Sequence, residues 1–575
     1  MAHIDGGLVL AKTLQGFGID TIFTLHGGHL DSVLRAADSL GIRLIDTRHE
    51  QAAGLAAMGL AHATGKVGIA LITAGGGVTN VVSAAANALA DGVPLVILGG
   101  APPLNDVDAL PANSGIDQLA VMAGVTKHSL RITHISLLAE LVGRAFRIAK
   151  EGRPGPVYLD LPSDVLFDQI EEADVVFPNG AMRVAPAAPS RPAVLEALSL
   201  LRGASRPVIL AGGGVVRSGA SNLLVEFVER TGIPVLTNNK SRGVIPTTSP
   251  LWGRGFSALG AAKARGHGEA DVVVLLGARV GIYTGGRHNS VIPTSARVIQ
   301  VDVEPEEMGR LHDVHLGITS DCREMLSALL DADDATWPDY SNWAASLTSP
   351  SERKRNAGSE ADGVLTPGLV GAALASFLPA DTVLVADGGE TPSWLDAAAT
   401  SDTAGQWFGH GYLGIMGEGM PLAIGAQIAY PDKRVVVWVG DGAVGFNFAE
   451  FDTMVRHNLP IVVVVNNDRQ WTMSAHGQEL LWGSTPRLAV DLRDTRYDIA
   501  ASGFGAHAEY VEKLDELAPA LERALASGMP ACVNVATTAI EIAPVTRRFM
   551  RDAAQADSSV ASSSAALTDS PSTSR

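Results

Sequence analysis

A series of short, almost uninterrupted apolar runs recurs along this chain: GIALIT, PLVILGG, PVYLDL, RPVILAGG, VVVLLG, VLVAD and VVVWVG. Between them lie alanine-rich stretches with helical spacing. A strand with one face in water alternates apolar and polar residues, so a run that is apolar throughout must be covered on both faces. Such strands alternating with helices build parallel sheets between helical layers. The expected fold class is therefore α/β. At 575 residues the chain exceeds what one core supports, which points to about three domains of ordinary size. Two Pro/Ala/Ser-rich stretches, near 175–194 and 342–368, read as linkers. They divide the chain into blocks 1–175, 192–340 and 365–548. The remainder, 549–575, is poor in bulky apolar residues and reads as a disordered tail, with a lid as the alternative.

Formal net charge is −18 without a strong run of Lys and Arg, which argues against nucleic acid or an anionic membrane as the partner. The two cysteines, Cys322 and Cys532, supply neither a disulfide framework nor a cysteine metal site. The N-terminus lacks a basic segment followed by a long apolar run, and LGIMGEGMPLAIGAQIAY is too rich in glycine to span a bilayer. A cytoplasmic protein is expected.

The stretch VVVWVGDGAVGFNFAEFDTMVRHNLPIVVVVNND carries the first chemical signal. Val435–Val439 and Ile461–Val465 read as buried strands joined by a helix with Phe448, Phe451, Met454 and Val455 on one face. A crossover of this length joins parallel strands, so Asp441 and Asp468 fall at neighbouring tips on one sheet edge. Gly440 and Gly442 permit close backbone approach, and GAVGFNF opens a helix whose free N–H groups favour an anion. Two carboxylates beside such a helix start describe a site for a hard divalent cation, with Mg²⁺ the natural occupant.

This segment resembles the fingerprint of the thiamine-diphosphate enzyme superfamily. The resemblance implies that Asp441, Asp468 and the Gln470 carbonyl hold Mg²⁺ on the cofactor's diphosphate, with Gly442, Ala443 and Trp471 alongside. The usual residue at 468 is Asn, so Asp468 adds charge. A second segment, DTRHEQAAGLAAMG, resembles the family's conserved-glutamate region; it casts Glu50 as the group that hydrogen-bonds the aminopyrimidine. ITAGGGVTN resembles the glycine loop against that ring, with Thr73 and Asn80. HGYLGIMGEG resembles the loop that bends the cofactor, with His410 and the Met416 wedge. In this superfamily one subunit's first domain and another's third domain share each cofactor, which implies a homodimer or a homotetramer. The three blocks become pyrimidine-binding, central nucleotide-binding-like and diphosphate-binding domains. Some relatives hold FAD or ADP centrally, and RPVILAGGG leaves a bound nucleotide and a purely structural domain equally open.

Within the superfamily, LHGGHLDSVL, LIDTRHE and ITAGGGVTN look most like benzaldehyde lyase, 2-hydroxyacyl-CoA lyases and acetolactate-synthase-like proteins. The favoured expectation is a C–C lyase or carboligase acting on a 2-hydroxyacyl compound, an acyloin or a CoA thioester. The alternatives are an acetolactate-synthase-like 2-oxo acid decarboxylase and carboligase, and a non-catalytic nucleotide-binding protein retaining the fold. By the lyase resemblance His29 is the base for the substrate hydroxyl and His26 a supporting group. Asn113 stands where benzaldehyde lyase has a glutamine. Met473, His476 and Glu479 follow the metal segment near the pocket, Glu479 as a further candidate acid. Pro392 replaces the lyase's tyrosine, Glu390 is an added acid, and LHGGHL lacks the proline usual in acetolactate synthases. Arg547, Arg548 and Arg551 offer charge to a long anionic substrate.

Overall fold

The computed structural model describes residues 2–550 apart from 107, 179–183, 287–290, 349–363, 397 and 484–486. Each block folds around its own six-stranded sheet, and every neighbouring pair within the three sheets is parallel. The α/β expectation is met. The apolar runs are the central strands: Gly68–Ile72, Leu95–Ala101, Pro207–Ala211, Val272–Leu276 and Val383–Asp387 are buried at every position.

Strand order locates the functional edges. The first sheet runs Arg43–Asp46, Thr21–Leu25, Gly68–Ile72, Leu95–Ala101, Pro156–Pro162, His128–Arg131. The third runs Trp407–Gly409, Val383–Asp387, Val435–Gly440, Val462–Asn467, Ala531–Ala536, His507–Val511. In chain order both read 2-1-3-4-6-5, so the first and third blocks share one topology. The central sheet instead reads 3-2-1-4-5-6 from Trp252–Gly255 to Leu316–Thr319, the order of dinucleotide-binding folds. Ligands of open parallel sheets bind where the order reverses, beyond the strands' carboxyl ends. Those places are His26–His29 beside Thr73–Gly77 in the first sheet and Gly388–Thr391 beside Asp441–Ala443 in the third. In the central sheet the corresponding turns are Gly212–Gly214 and Gly277.

The first and third blocks share one continuous core, in which Leu55, Met58, Val81, Leu422, Ile424 and Phe451 are all buried. Helices Glu50–Thr64 and Gly419–Ala429 cross at backbone contact. A Cβ on Gly59 would lie 2.4 Å from the Leu422 carbonyl oxygen, and one on Gly425 would lie 2.0 Å from that of Ala56. Any side chain there would separate the helices and, with them, the two domains.

Composition misreads one boundary. Residues 342–348 read as linker, yet Ser341–Thr348 is a helix whose Trp343 and Leu347 pack into the central core. The Trp343 indole N–H also donates to the Pro207 carbonyl at 2.8 Å. Two large apolar side chains outweigh the Ala/Ser content around them. Residues 544–550 are helical, and the rest of the expected tail, including Arg551, lies outside the described residues.

Candidate active site

Asp441 opens the helix that follows Val435–Gly440, and Asp468 follows Val462–Asn467, the strand hydrogen-bonded beside it. Both are buried, at 3% and 7% exposure. Asp441 Oδ1 accepts from the Gly442 N–H and Oδ2 from the Arg469 N–H, each at 2.8 Å. Asp468 Oδ2 accepts from the Thr472 hydroxyl, while its buried Oδ1 has no hydrogen-bond partner among the described residues. Burial, then the neighbouring Asp468 charge, pushes the Asp441 carboxyl up to about 7. Burial pushes Asp468 up to about 6, with the charge of Glu390 adding to it. An orphaned carboxylate oxygen and two acids resisting ionisation are what a divalent cation would satisfy, since it favours both charged forms at once. Among the described residues no group of three acidic, His or Cys side chains gathers to hold a metal, and this site has two. The donor set of two carboxylates and one carbonyl leaves positions for water and phosphate oxygens, which suits Mg²⁺.

The surroundings are shaped for a close-fitting ligand. A Cβ on Gly442 would stand 2.5 Å from the Trp471 ring. Gly388, at φ 111°, faces the Gly440 backbone. A cavity of about 1830 Å³ joins Asp441, Gly442, Ala443, Asp468, Gln470 and Trp471 to His410 and Met416. Burial, then the charge of Lys240, lowers His410 to about 4, so its ring is neutral at pH 7 and its buried Nδ1 is unpartnered among the described residues.

The residues assigned to the pyrimidine side lie elsewhere. Glu50 begins helix Glu50–Thr64 at 7% exposure, and its Oε2 accepts from the Asn80 amide at 2.9 Å. A Cβ on Gly77 would lie 3.4 Å from its Oε1, so the glycine loop packs beside this carboxylate. A separate cavity is lined by His26, His29, Thr73 and Asn113. His29 Nδ1 stands 3.3 Å from the Thr73 hydroxyl, and burial lowers its pKa. Asn113 holds φ 61° and donates to the Ala74 carbonyl at 3.1 Å. His26 is exposed and paired with Asp31 at 2.8 Å. Glu479 lies on the exposed face of helix Thr472–Trp482 and lines neither cavity. The chain thus gathers His26, His29, Thr73 and Asn113 in one place and the Asp441 group in another; it brings Glu479 to neither.

Several supporting residues carry no motif. Gln118 accepts from the Gly75 N–H at 2.6 Å and donates to Asp160, anchoring the glycine loop from beneath. The Thr391 carbonyl accepts from the Trp438 indole at 2.8 Å, and its hydroxyl lies 3.1 Å from a Cβ built on Gly440. Only the tertiary fold identifies such residues, because an isolated Gln or Thr has too many roles.

The large cavity continues to the reversal point of the central sheet, past Gly213, Gly214, Arg217, Gly277 and Arg279. A Cβ on Gly214 would lie 2.7 Å from Gly277 Cα, and the Arg217 guanidinium lies over Gly213.

Three family models match the chain in order. Residues 4–121 match the family described as thiamine pyrophosphate enzyme, N-terminal TPP binding domain. Residues 194–329 match its central domain and 387–535 its C-terminal TPP binding domain. The chain is 37% identical over 549 residues to a probable acetolactate synthase of Mycobacterium bovis, covering 93% of this chain and 96% of that protein. It is 29% identical to the acetolactate synthase isozyme 2 large subunit of Escherichia coli, over 94% of this chain and 96% of that one. A 2-hydroxyacyl-CoA lyase 2 of Caenorhabditis elegans is 28% identical, over 91% of this chain and 87% of its own length. With three domains matched in order and a relative 37% identical over nearly the whole of both chains, the chain belongs to the thiamine pyrophosphate enzymes.

Proposed function

We propose that this enzyme forms a carbon–carbon bond by the acetolactate-synthase type of reaction, decarboxylating a 2-oxo acid and joining the remainder to a carbonyl acceptor. The observation carrying the reading is the Asp441–Asp468 pair with its orphaned oxygen, set in a chain that aligns end to end with acetolactate synthases. This is the reading placed second from sequence motifs alone; length and identity of the alignments weigh more than the absent proline in LHGGHL. Thiamine diphosphate, when bound, supplies the electron sink that such bonds need. The protein supplies position and protons. Asp441, Asp468 and the Gln470 carbonyl would hold Mg²⁺ for the diphosphate. Glu50, steadied by Asn80, would offer its carboxyl to the pyrimidine, and Met416 would support the bent cofactor. His29, neutral near pH 7 because burial lowers its pKa, exchanges the proton of the hydroxyl that the acceptor carbonyl becomes, and Asn113 orients it.

Because the Glu50 and Asp441 groups line different parts of one chain, the working enzyme is a homodimer, or a tetramer of dimers, in which each site draws on two copies. The central cavity is offered to FAD or ADP by its glycine turns and arginines. The reading places the enzyme in the cytoplasm, and among the described residues no helix is long and apolar enough to cross a membrane.

The second reading is cleavage of a 2-hydroxyacyl compound, CoA thioesters included. It is favoured by His29 at the mouth of its cavity and by the similarity to a 2-hydroxyacyl-CoA lyase. Enzyme supplied with Mg²⁺ and thiamine diphosphate, then given pyruvate, benzoin or 2-hydroxyisobutyryl-CoA, separates the two by mass spectrometry. Consumption of pyruvate with release of CO₂ and a coupled product supports the proposal. An aldehyde or formyl-CoA from the hydroxy substrates, with pyruvate untouched, overturns it for the second reading.

A further inference from the structure

Glu390 and His476 form a buried acid–imidazole pair that the mechanism above does not use. Glu390 stands in the turn after Val383–Asp387, and His476 in helix Thr472–Trp482, just beyond the metal segment. Their side chains are 2% and 4% exposed, and Glu390 Oε1 lies 2.9 Å from His476 Nδ1. The other imidazole nitrogen, Nε2, faces the Ala539 carbonyl at 2.8 Å. A carbonyl oxygen only accepts, so Nε2 carries a proton, and Nδ1 shares a hydrogen bond with Glu390. Burial disfavours the charged ring, but the bond to Glu390 and its charge outweigh that and raise the His476 pKa. Glu390 Oε2 accepts from the Ala543 N–H at 3.1 Å, so the same pair grips the C-terminal segment at two points.

That grip has a consequence for the cavity. Beyond Ala543 the chain becomes helical, and Pro544, Val545, Arg548 and Phe549 line the cofactor cavity beside Pro392 and Met473. Met473 is seated by the same turn: a Cβ on Gly389 would meet its Cβ at 2.7 Å, so turn and side chain are closely packed there. Five of these six side chains are apolar, the exception being Arg548, whose guanidinium lies over the Phe549 ring, while the metal end of the cavity is acidic.

We propose that Glu390 and His476 are positioning residues that fix the C-terminal segment as an apolar wall over the cofactor cavity, selecting a second substrate that presents an apolar group. The inference rests on the carboligase reading for its substrate and on the hydrogen bonds alone for the clamp. Charge-assisted bonds are roughly twice as strong as neutral ones, so Glu390→Gln and His476→Gln weaken the grip while keeping side-chain bulk.

The test uses full-length enzyme loaded with Mg²⁺ and thiamine diphosphate. Hydrogen–deuterium exchange of residues 537–550 is expected to quicken about tenfold in both variants. The KM for an apolar carbonyl acceptor should rise by a similar factor, with cofactor affinity changed less than twofold. A third variant, Val545→Asp, lies on the half-buried wall away from the pair and covers the case in which the buried variants do not fold. It should shift acceptor preference towards polar carbonyl compounds. Exchange and acceptor KM matching the parent in both Gln variants, or unaltered preference in Val545→Asp, would overturn the proposal. So would a loss of cofactor affinity in proportion to acceptor binding, which would assign the pair to the cofactor. If the parent turns over no 2-oxo acid, the carboligase reading fails, and the exchange measurement still decides the clamp.

Discussion

Glu418→Gln should make the protein more stable at high pH than at low pH, relative to the parent. Glu418 caps helix Gly419–Ala429 at 1% exposure, where three domains meet. Its Oε2 accepts from Asn87 of the first domain at 2.6 Å, and its Oε1 has no partner among the described residues. Burial pushes its carboxyl up to about 8 from an ordinary 4.5; Lys240 opposes the shift, while Asp387 and Asp91 add to it. The folded pKa is raised, so between pH 4.5 and 8 the folded state holds a proton that the unfolded chain releases, and stability falls as pH rises. At about 1.4 kcal/mol per pKa unit, the penalty reaches roughly 5 kcal/mol above pH 8 and vanishes below 4.5. Gln reproduces the neutral acid and keeps the bond from Asn87, so the variant lacks the penalty. A cooperative unit of domain size moves by about 2–4 °C per kcal/mol. Melting of both proteins without cofactor, at one scan rate, should give matching transitions at pH 5 and a gap of at least about 5 °C at pH 8.5. A gap of constant size across that range, or one favouring the parent at pH 8.5, would refute the reasoning.

Four further outcomes follow from the site. Asp441→Ala should abolish Mg²⁺-dependent cofactor binding, read as loss of cofactor-induced quenching of tryptophan fluorescence. Asp468→Asn should keep turnover at saturating Mg²⁺, because the amide oxygen can take the orphaned position, but need about tenfold more metal for half-activation. Glu50→Gln should bind the cofactor while losing on the order of 100-fold in turnover, since an amide cannot exchange the carboxyl proton; parental turnover would count against the role given to Glu50. His29→Gln should remove the rise in kcat/KM through the imidazole's ionisation while leaving cofactor affinity intact, and a pH profile identical to the parent's would remove His29 as the base.

Much of this architecture could be read from the chain because its strands are buried on both faces. A run such as VVVWVG has no other comfortable environment, and an acid immediately after it can only sit at a sheet edge. The order of strands was not legible: adjacency of Val383–Asp387 to Val435–Gly440 is set by crossover packing, and so is the turn that brings Gly388 against Gly440. For the same reason Thr391 and Gln118 stayed hidden. Their roles come from side-chain bonds between segments far apart in sequence. Glu479 shows the opposite error. Its place beside the metal segment suggested chemistry, but residues 479–483 at the end of the helix are all exposed, while His476, a turn earlier, is buried against Glu390. The helix Ser341–Thr348 looked like linker because Ala and Ser dominate it, although Trp343 alone suffices to anchor it.

The claim on which the account stands is that Glu50 of one copy and Asp441 with Asp468 of another serve a single cofactor. Mixing subunits of Glu50→Gln with subunits of Asp441→Ala, each inactive alone, tests it directly. Random reassociation gives hybrids holding one intact site and one doubly damaged site, so activity should return to roughly a quarter of the parent's. Hybrids verified by native mass spectrometry that regain no activity would contradict it.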